Sequence, residues 1–130
     1  MRAAMHPFRR PGLWLGLWLV AVGMVIALSL LPPPPMPELP SGSDKVEHFL
    51  AYFALSAGAV QLFRTPRAWL ACALGLVALG VGLEIAQGAL TATRMQDPFD
   101  ALANALGVLV GLSTALTPWR QLLLRLESRV

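Results

Sequence analysis

A shortage of cysteine is the first feature of this sequence. The chain has one cysteine among 130 residues, so no second thiol is present for a disulfide or a cysteine-based metal site. That residue, Cys72, lies within an apolar run, where an unpaired thiol packs as a small side chain. We therefore expect neither a disulfide framework nor a cysteine-ligated cofactor.

Charged residues are also scarce, at 13% of the chain against 56% hydrophobic residues. A water-soluble globule of this length cannot bury so much apolar surface, whereas a lipid bilayer can. The net charge of +3 would suit a nucleic-acid partner if the basic residues formed a stripe beside aromatic ones. They form short clusters between apolar runs instead, so the composition predicts an integral membrane protein and no nucleic-acid partner.

Four apolar runs are separated by polar or proline-rich segments. At about 1.5 Å of rise per residue, each run is long enough to cross a hydrocarbon core of about 30 Å. A basic leader before the first run is also typical of a secretory signal peptide, but this run is long and a stiff proline block follows it at residues 32–37. We predict one all-α domain over residues 1–130, a bundle of four transmembrane helices at residues 13–31, 46–63, 68–90 and 98–116.

Helix-start signals accompany two of these runs. Asp44, with Glu47 three residues later, matches a capping box at the start of the second helix. Asp97 precedes Pro98, which places an N-cap residue before a proline at the first helical position of the fourth helix. Pro118 then ends the fourth helix.

The carboxyl-terminal segment, residues 119–130, alternates apolar and basic positions with helical periodicity. It is too short to span a bilayer and predicts an amphipathic interfacial helix. The short connections place eight basic residues on one side of the membrane and two on the other, which predicts that both termini are cytoplasmic in a multi-pass protein of the inner membrane. The eight are Arg2, Arg9, Arg10, Arg64, Arg67, Arg120, Arg125 and Arg129.

Polar residues that the hydropathy does not explain fall at one predicted level, in the outer leaflet. They share faces at the start of the second helix, near the end of the third, and at the start of the fourth, where antiparallel connections would bring them together. We take these residues as a candidate ligand-binding site: Lys45, His48, Tyr52, Glu84, Gln87, Arg94, Asp97, Asp100 and Asn104.

Each of these residues also has a purely structural interpretation. Asp97 could serve only as a helix cap, Lys45 and Tyr52 as interface anchors, and Asn104 as an interhelical hydrogen-bonding group. Glu84 is the hardest to explain in this way, because a carboxylate within a span costs up to about 3 kcal/mol unless it is paired, protonated or in contact with water.

Small residues at four-residue spacing occur in two of the predicted helices. Gly107 and Gly111 form a G-x-x-x-G pattern, and Ala54 with Gly58 forms a second pair. Both patterns favour close approach of helices. Packing within one chain and dimerisation are the two uses open to them, and the oligomeric state is not indicated.

A set of these residues resembles, in its order along the chain, the VanZ-like family of small bacterial membrane proteins. The resemblance covers residues 44–111 and the leading span. The family takes its name from a member linked to resistance to the glycopeptide teicoplanin, so the resemblance implies a role at the cell envelope and no particular reaction. The residues that carry it are Asp44-Lys45, His48-Phe49, Tyr52, Glu84, Gln87, Arg94, Asp97, Asp100, Asn104, Gly107 and Gly111.

Two functions are consistent with these residues. The first is a binding protein whose outward-facing site takes a lipid headgroup, a cell-wall precursor or a glycopeptide, with Lys45 and Arg94 holding an anionic group. The alternative is a membrane-embedded enzyme for a lipid-linked substrate, with Glu84 or Asp100 as general base and His48 as acid. Proton-linked transport has less support, because no pair of broken helices is visible. One histidine in this region is not a metal-binding signature, so we expect no metal or other cofactor.

Overall fold

The computed structural model describes residues 2–31, 42–90 and 97–130. Within these ranges the chain is helical and contains no β-strand beyond an isolated bridge between Met5 and Phe63, which confirms the predicted all-α fold. The five α-helices are α1 (Pro11–Leu30), α2 (Ser43–Leu62), α3 (Pro66–Leu90), α4 (Pro98–Ser113) and α5 (Leu122–Arg129). Short 3-10 turns follow α4 and precede α5, at Thr114–Leu116 and Pro118–Gln121.

Three helices of the described ranges are long and apolar enough to cross a membrane: α1, α3, and α4 with the 3-10 turn that follows it. No residue of α1 is buried, and its surface carries exposed Val20, Met24 and Leu28. Such an extensive apolar surface is unfavourable in water and matches a hydrocarbon environment. The chain is therefore a membrane protein. Helix α2 has 20 residues but opens with charged and polar side chains, which sets it apart from the other three.

Helices α2 and α4 form the tightest pair in the bundle, and they run in the same direction. The two glycines of the G-x-x-x-G pattern lie directly against the backbone of α2. A Cβ on Gly111 would lie 2.7 Å from the carbonyl oxygen of Phe53, and one on Gly107 would overlap the carbonyl oxygen of Phe49. The pattern thus serves packing within the chain, and this close approach aligns the first turns of α2 and α4.

A further glycine receives a large side chain. Gly58 lies under the indole of Trp18, which donates a hydrogen bond of 2.9 Å to the carbonyl oxygen of Leu55. Ala54, its partner in the predicted small-residue pair, is exposed. Gly58 therefore accommodates an aromatic ring of α1, and the pair does not act as a continuous stripe.

The two helix-start predictions have different outcomes. Asp97 caps α4, accepting a hydrogen bond of 2.9 Å from the Phe99 N–H, with Pro98 at the first helical position. The capping box at Asp44 is wrong. The N-cap of helix α2 lies two residues earlier, at Gly42 in a left-handed conformation (φ 87°), and no side chain caps the helix. Asp44 lies inside the first turn, where its carboxylate binds Lys45.

Residues 2–10, the connection around Arg64 and the segment after Pro118 meet at one end of the bundle, which we call the basic end. The Glu127 carboxylate of α5 accepts hydrogen bonds from the Arg9 N–H (2.8 Å), the Arg10 N–H (3.1 Å) and the Trp14 indole (2.8 Å). Glu127 thereby satisfies donors just before and within the first turn of α1. The amphipathic helix predicted at residues 119–130 is confirmed as α5 with its preceding 3-10 turn, and it packs on the bundle.

Candidate functional site

The opposite end of the bundle, which we call the acidic end, is formed by the first turns of α2 and α4 and the last turns of α3. At its centre the Lys45 ammonium donates to three carboxylates. Its Nζ lies 2.7 Å from Asp44 Oδ2, 2.7 Å from Asp97 Oδ2 and 2.5 Å from Asp100 Oδ1. Because an ammonium group has three hydrogens, these contacts use all of them.

His48 lies one turn deeper on α2 and faces two groups of α4. Its Nδ1 is 3.0 Å from Asn104 Oδ1, and its Nε2 is 3.6 Å from Asp100 Oδ2. Since an amide oxygen only accepts hydrogen bonds, Nδ1 carries a hydrogen in this arrangement. The parallel pairing of α2 and α4 therefore brings together Lys45 with Asp100 and, one turn on, His48 with Asn104.

Glu84 reaches the acidic end from α3. Its side chain is buried, and Oε1 accepts a hydrogen bond of 2.7 Å from the backbone N–H of Asp97. This partner is the residue that caps α4, so the carboxylate ties the end of α3 to the start of α4.

Tyr52 forms the floor of the acidic end. It is 2% exposed, and its hydroxyl has no hydrogen-bond partner. A Cβ on Gly80 would lie 3.4 Å from the Tyr52 ring and 3.2 Å from the Asn104 side chain. Gly80 precedes Glu84 by one helical turn on the same face of α3. The absence of a side chain at Gly80 therefore lets Tyr52 and Asn104 both approach α3 one turn from Glu84.

Electrostatics at the rim of the acidic end favour ionised carboxylates. The hydrogen bond from Lys45 holds the pKa of the Asp97 carboxyl below its usual value, assisted by the Phe99 N–H. Asp100 is buried and Asp97 is partly exposed, so the cluster extends from the surface into the bundle.

Not every predicted residue joins this cluster. Gln87 is buried, but its Nε2 donates to the Ser29 carbonyl oxygen of α1 (2.8 Å), which indicates an interhelical tie away from His48. Arg94 lies outside the described residues. Oxygens of Asp44, Asp97 and Asp100 lie within 4.8 Å of one another, a spacing that suits a cation, and here the Lys45 ammonium occupies that place.

Two residues of the acidic end had other roles or none in the sequence interpretation. Asp44 was expected to be a cap, although its position next to Lys45 was a signal for an ion pair. Gly80 was not singled out, although it lies four residues before Glu84. At the basic end His6 was also overlooked. It is 6% exposed, and its Nε2 has no partner.

Comparison with known proteins adds no relative: no protein-family model, no curated protein and no solved structure matches this chain. The functional argument therefore depends on the geometry of the acidic end.

Proposed function

We propose that this chain is a VanZ-like protein of the bacterial inner membrane whose acidic end faces outward and binds a component of the cell envelope. The candidates are a lipid headgroup, a cell-wall precursor and a glycopeptide. The observation that carries the proposal is the burial of Glu84, Asp100 and Asn104 at one level, each less than one-tenth exposed. Burying such groups is costly, and helix packing alone does not require a carboxylate at either acidic position.

The proposed topology has four spans, in which α2 crosses the membrane packed against the three more apolar helices α1, α3 and α4. The buried face of α2, which includes Leu55, Ala59 and Val60, supports this arrangement. The basic end carries all eight arginines of the described ranges, and such an excess favours the cytoplasmic side. The acidic end then faces the exterior.

The test is mass spectrometry of lipids and small molecules that copurify with the protein. We expect the wild type to retain a ligand that Glu84→Gln loses while remaining inserted and folded. Glu47→Gln is the matched control, because Glu47 is an exposed carboxylate on the first turns of α2. Equal occupancy in all three proteins, or none in the wild type, would refute the proposal.

The alternative function is a membrane-embedded enzyme acting on a lipid-linked substrate. The pairing of His48 Nε2 with Asp100 Oδ2 at 3.6 Å favours it, because a carboxylate beside an imidazole is a common general acid–base arrangement. Conversion of the copurified ligand by the purified protein, lost in His48→Asn, would establish catalysis. Stoichiometric binding without conversion would establish the binding protein.

A further inference from the structure

The sign of the charge at the acidic end restricts the ligand. Among the described residues, four carboxylates meet there, those of Asp44, Glu84, Asp97 and Asp100, against the single ammonium of Lys45. Even with Glu84 protonated and His48 neutral, the described residues keep two uncompensated negative charges. All three hydrogens of Lys45 are engaged, so Lys45 has none left to hold an anionic group. An anionic ligand would meet like charge here.

In the neutral form of His48, a hydrogen-bond donor is missing between α2 and α4. With Nδ1 donating to Asn104, Nε2 of that form is an acceptor, and it faces the Oδ2 acceptor of Asp100 at 3.6 Å. Two acceptors this close need a donor that serves both, whereas a protonated His48 would itself donate from Nε2. Lys45 cannot provide it, since it binds the other oxygen of Asp100.

The floor of the same region lacks a partner as well. The Tyr52 hydroxyl is on the face of α2 that carries Lys45 and His48, one turn deeper than His48, and it is buried without a hydrogen bond. Leaving a buried hydroxyl unpaired is unfavourable. The Glu84 carboxylate lies within electrostatic range of Tyr52. A group with several N–H donors matches the chemistry of these acceptors.

We propose that the acidic end binds a primary ammonium group, which donates to Asp100 Oδ2 and His48 Nε2 above the Tyr52 hydroxyl. This inference rests on the proposed function and specifies its ligand class. An ammonium group supplies three hydrogens and one positive charge, which match the missing donor and part of the excess negative charge. A divalent cation fits less well, because it takes six or more oxygen ligands and the ammonium of Lys45 lies where the three aspartates converge. The amine belongs to an envelope lipid headgroup or to a soluble amine.

The experiment compares ligands that differ only at the amine. Full-length protein in detergent is titrated with phosphatidylethanolamine, its N-acetylated derivative, and phosphatidylglycerol, with bound lipid counted by native mass spectrometry. We expect phosphatidylethanolamine to bind at least about tenfold more tightly than the other two, the size of one charge-assisted hydrogen bond. Glycerophosphoethanolamine, which has the same amine without acyl chains, distinguishes the sources. Competition by this compound means that the amine is sufficient, and its failure to compete means that the lipid is required.

Variants and ions complete the test. Asp100→Asn should remove the preference for the amine, whereas Glu47→Gln should keep it. Equal affinity for the N-acetylated lipid, preference for phosphatidylglycerol, or binding of calcium ions alone would overturn the ammonium assignment. In those cases a ligand lost in Glu84→Gln would still support the proposed function. Absence of any ligand sensitive to Glu84→Gln would instead remove the proposed function itself. Because the lipids are varied on the wild type, the conclusion does not depend on the folding of any variant.

Discussion

The two ends of the bundle use polar side chains in opposite ways. At the basic end, side chains mainly satisfy backbone groups. Glu127 accepts from the N–H groups of Arg9 and Arg10, and Gln61 both donates to the Trp119 carbonyl oxygen (2.8 Å) and accepts from the Leu123 N–H (2.9 Å). At the acidic end, charged side chains bind mainly one another. The first pattern completes the ends of helices, whereas the second concentrates charge of one sign.

This difference distinguishes polar side chains that stabilise the fold from polar side chains that serve a function. A carboxylate that caps a helix terminus offsets the unsatisfied donors that any helix leaves. Three aspartates around one lysine repel each other, and the Asp100 carboxylate also faces His48 Nε2 at 3.6 Å. A bundle of this size does not need that arrangement to pack, because its closest contacts are made by glycines of α4 against α2. The comparison predicts that stability depends chiefly on the glycines, while ligand binding depends on the acidic end.

The largest effect on folding should come from Gly107→Ala. The new Cβ would overlap the Phe49 carbonyl oxygen on the neighbouring helix, and backbone atoms cannot rotate away as a side chain can. We expect a loss of about 3 kcal/mol in the free energy of unfolding, at the upper end for overpacking, measured by reversible unfolding in detergent. Gly82→Ala is the control, since nothing lies within 4 Å of its Cβ position. Equal stability of both variants would show that α2 and α4 do not pack as described.

Much of this architecture could be predicted from the sequence, because apolar runs, prolines and an aspartate before Pro98 act locally. The helices begin and end within about three residues of the predicted spans at most points. The role of Asp44 could not be predicted in this way, because Gly42 adopts a left-handed conformation and the carboxylate turns to Lys45. The docking of Glu127 on Arg9 joins residues 118 positions apart, and no periodicity signals such a contact.

The candidate site was also predicted only in part from the sequence. Helical spacing placed Lys45 with His48 and Asp100 with Asn104, whereas the G-x-x-x-G pattern favoured close approach of helices without indicating that α2 is the partner of α4. The partner of Glu84 was missed because it is a backbone N–H, which every residue except proline has. The direction of Gln87 toward α1 was missed because spacing gives the face of a helix and not its neighbour.

An intermediate effect is expected from Lys45→Met at the acidic end. Without the ammonium, three carboxylates stay close together with no counter-ion among the described residues. We expect a loss of about 1–2 kcal/mol of unfolding free energy, discounted because Lys45 is 32% exposed. Adding Asp100→Asn should restore part of the loss, since it removes one of the repelling charges, and a double-mutant cycle measures that coupling. Strictly additive losses would mean that Lys45 does not act through Asp100.

The smallest effect concerns the pH dependence of the basic end, where His6 holds residues 2–10 on the bundle. Its N–H donates to the Leu62 carbonyl oxygen at 2.9 Å, and its ring is buried with Nε2 unpaired. Burial lowers the pKa of His6 below the ordinary value of 6.5, and the nearby Arg64 and Arg120 guanidinium groups lower it further. Because the folded protein favours the neutral ring, docking of this segment is strongest above pH 6.5 and weakens as the pH falls through the lowered pKa. Hydrogen exchange should therefore show faster exchange of the His6 and Arg64 amides at pH 5.5 than expected from the change in chemical rate. His6→Gln, which cannot titrate, should exchange these amides with the same protection at both pH values. Protection that falls equally in the variant would assign the acid response to another group.

Glu127 is the alternative group. Partial burial raises the pKa of its carboxyl, but the hydrogen bonds from Arg9, Trp14 and Arg10 lower that pKa more strongly, so it lies below the ordinary value of 4.5. Its contact with α1 is therefore lost only in more acidic solution.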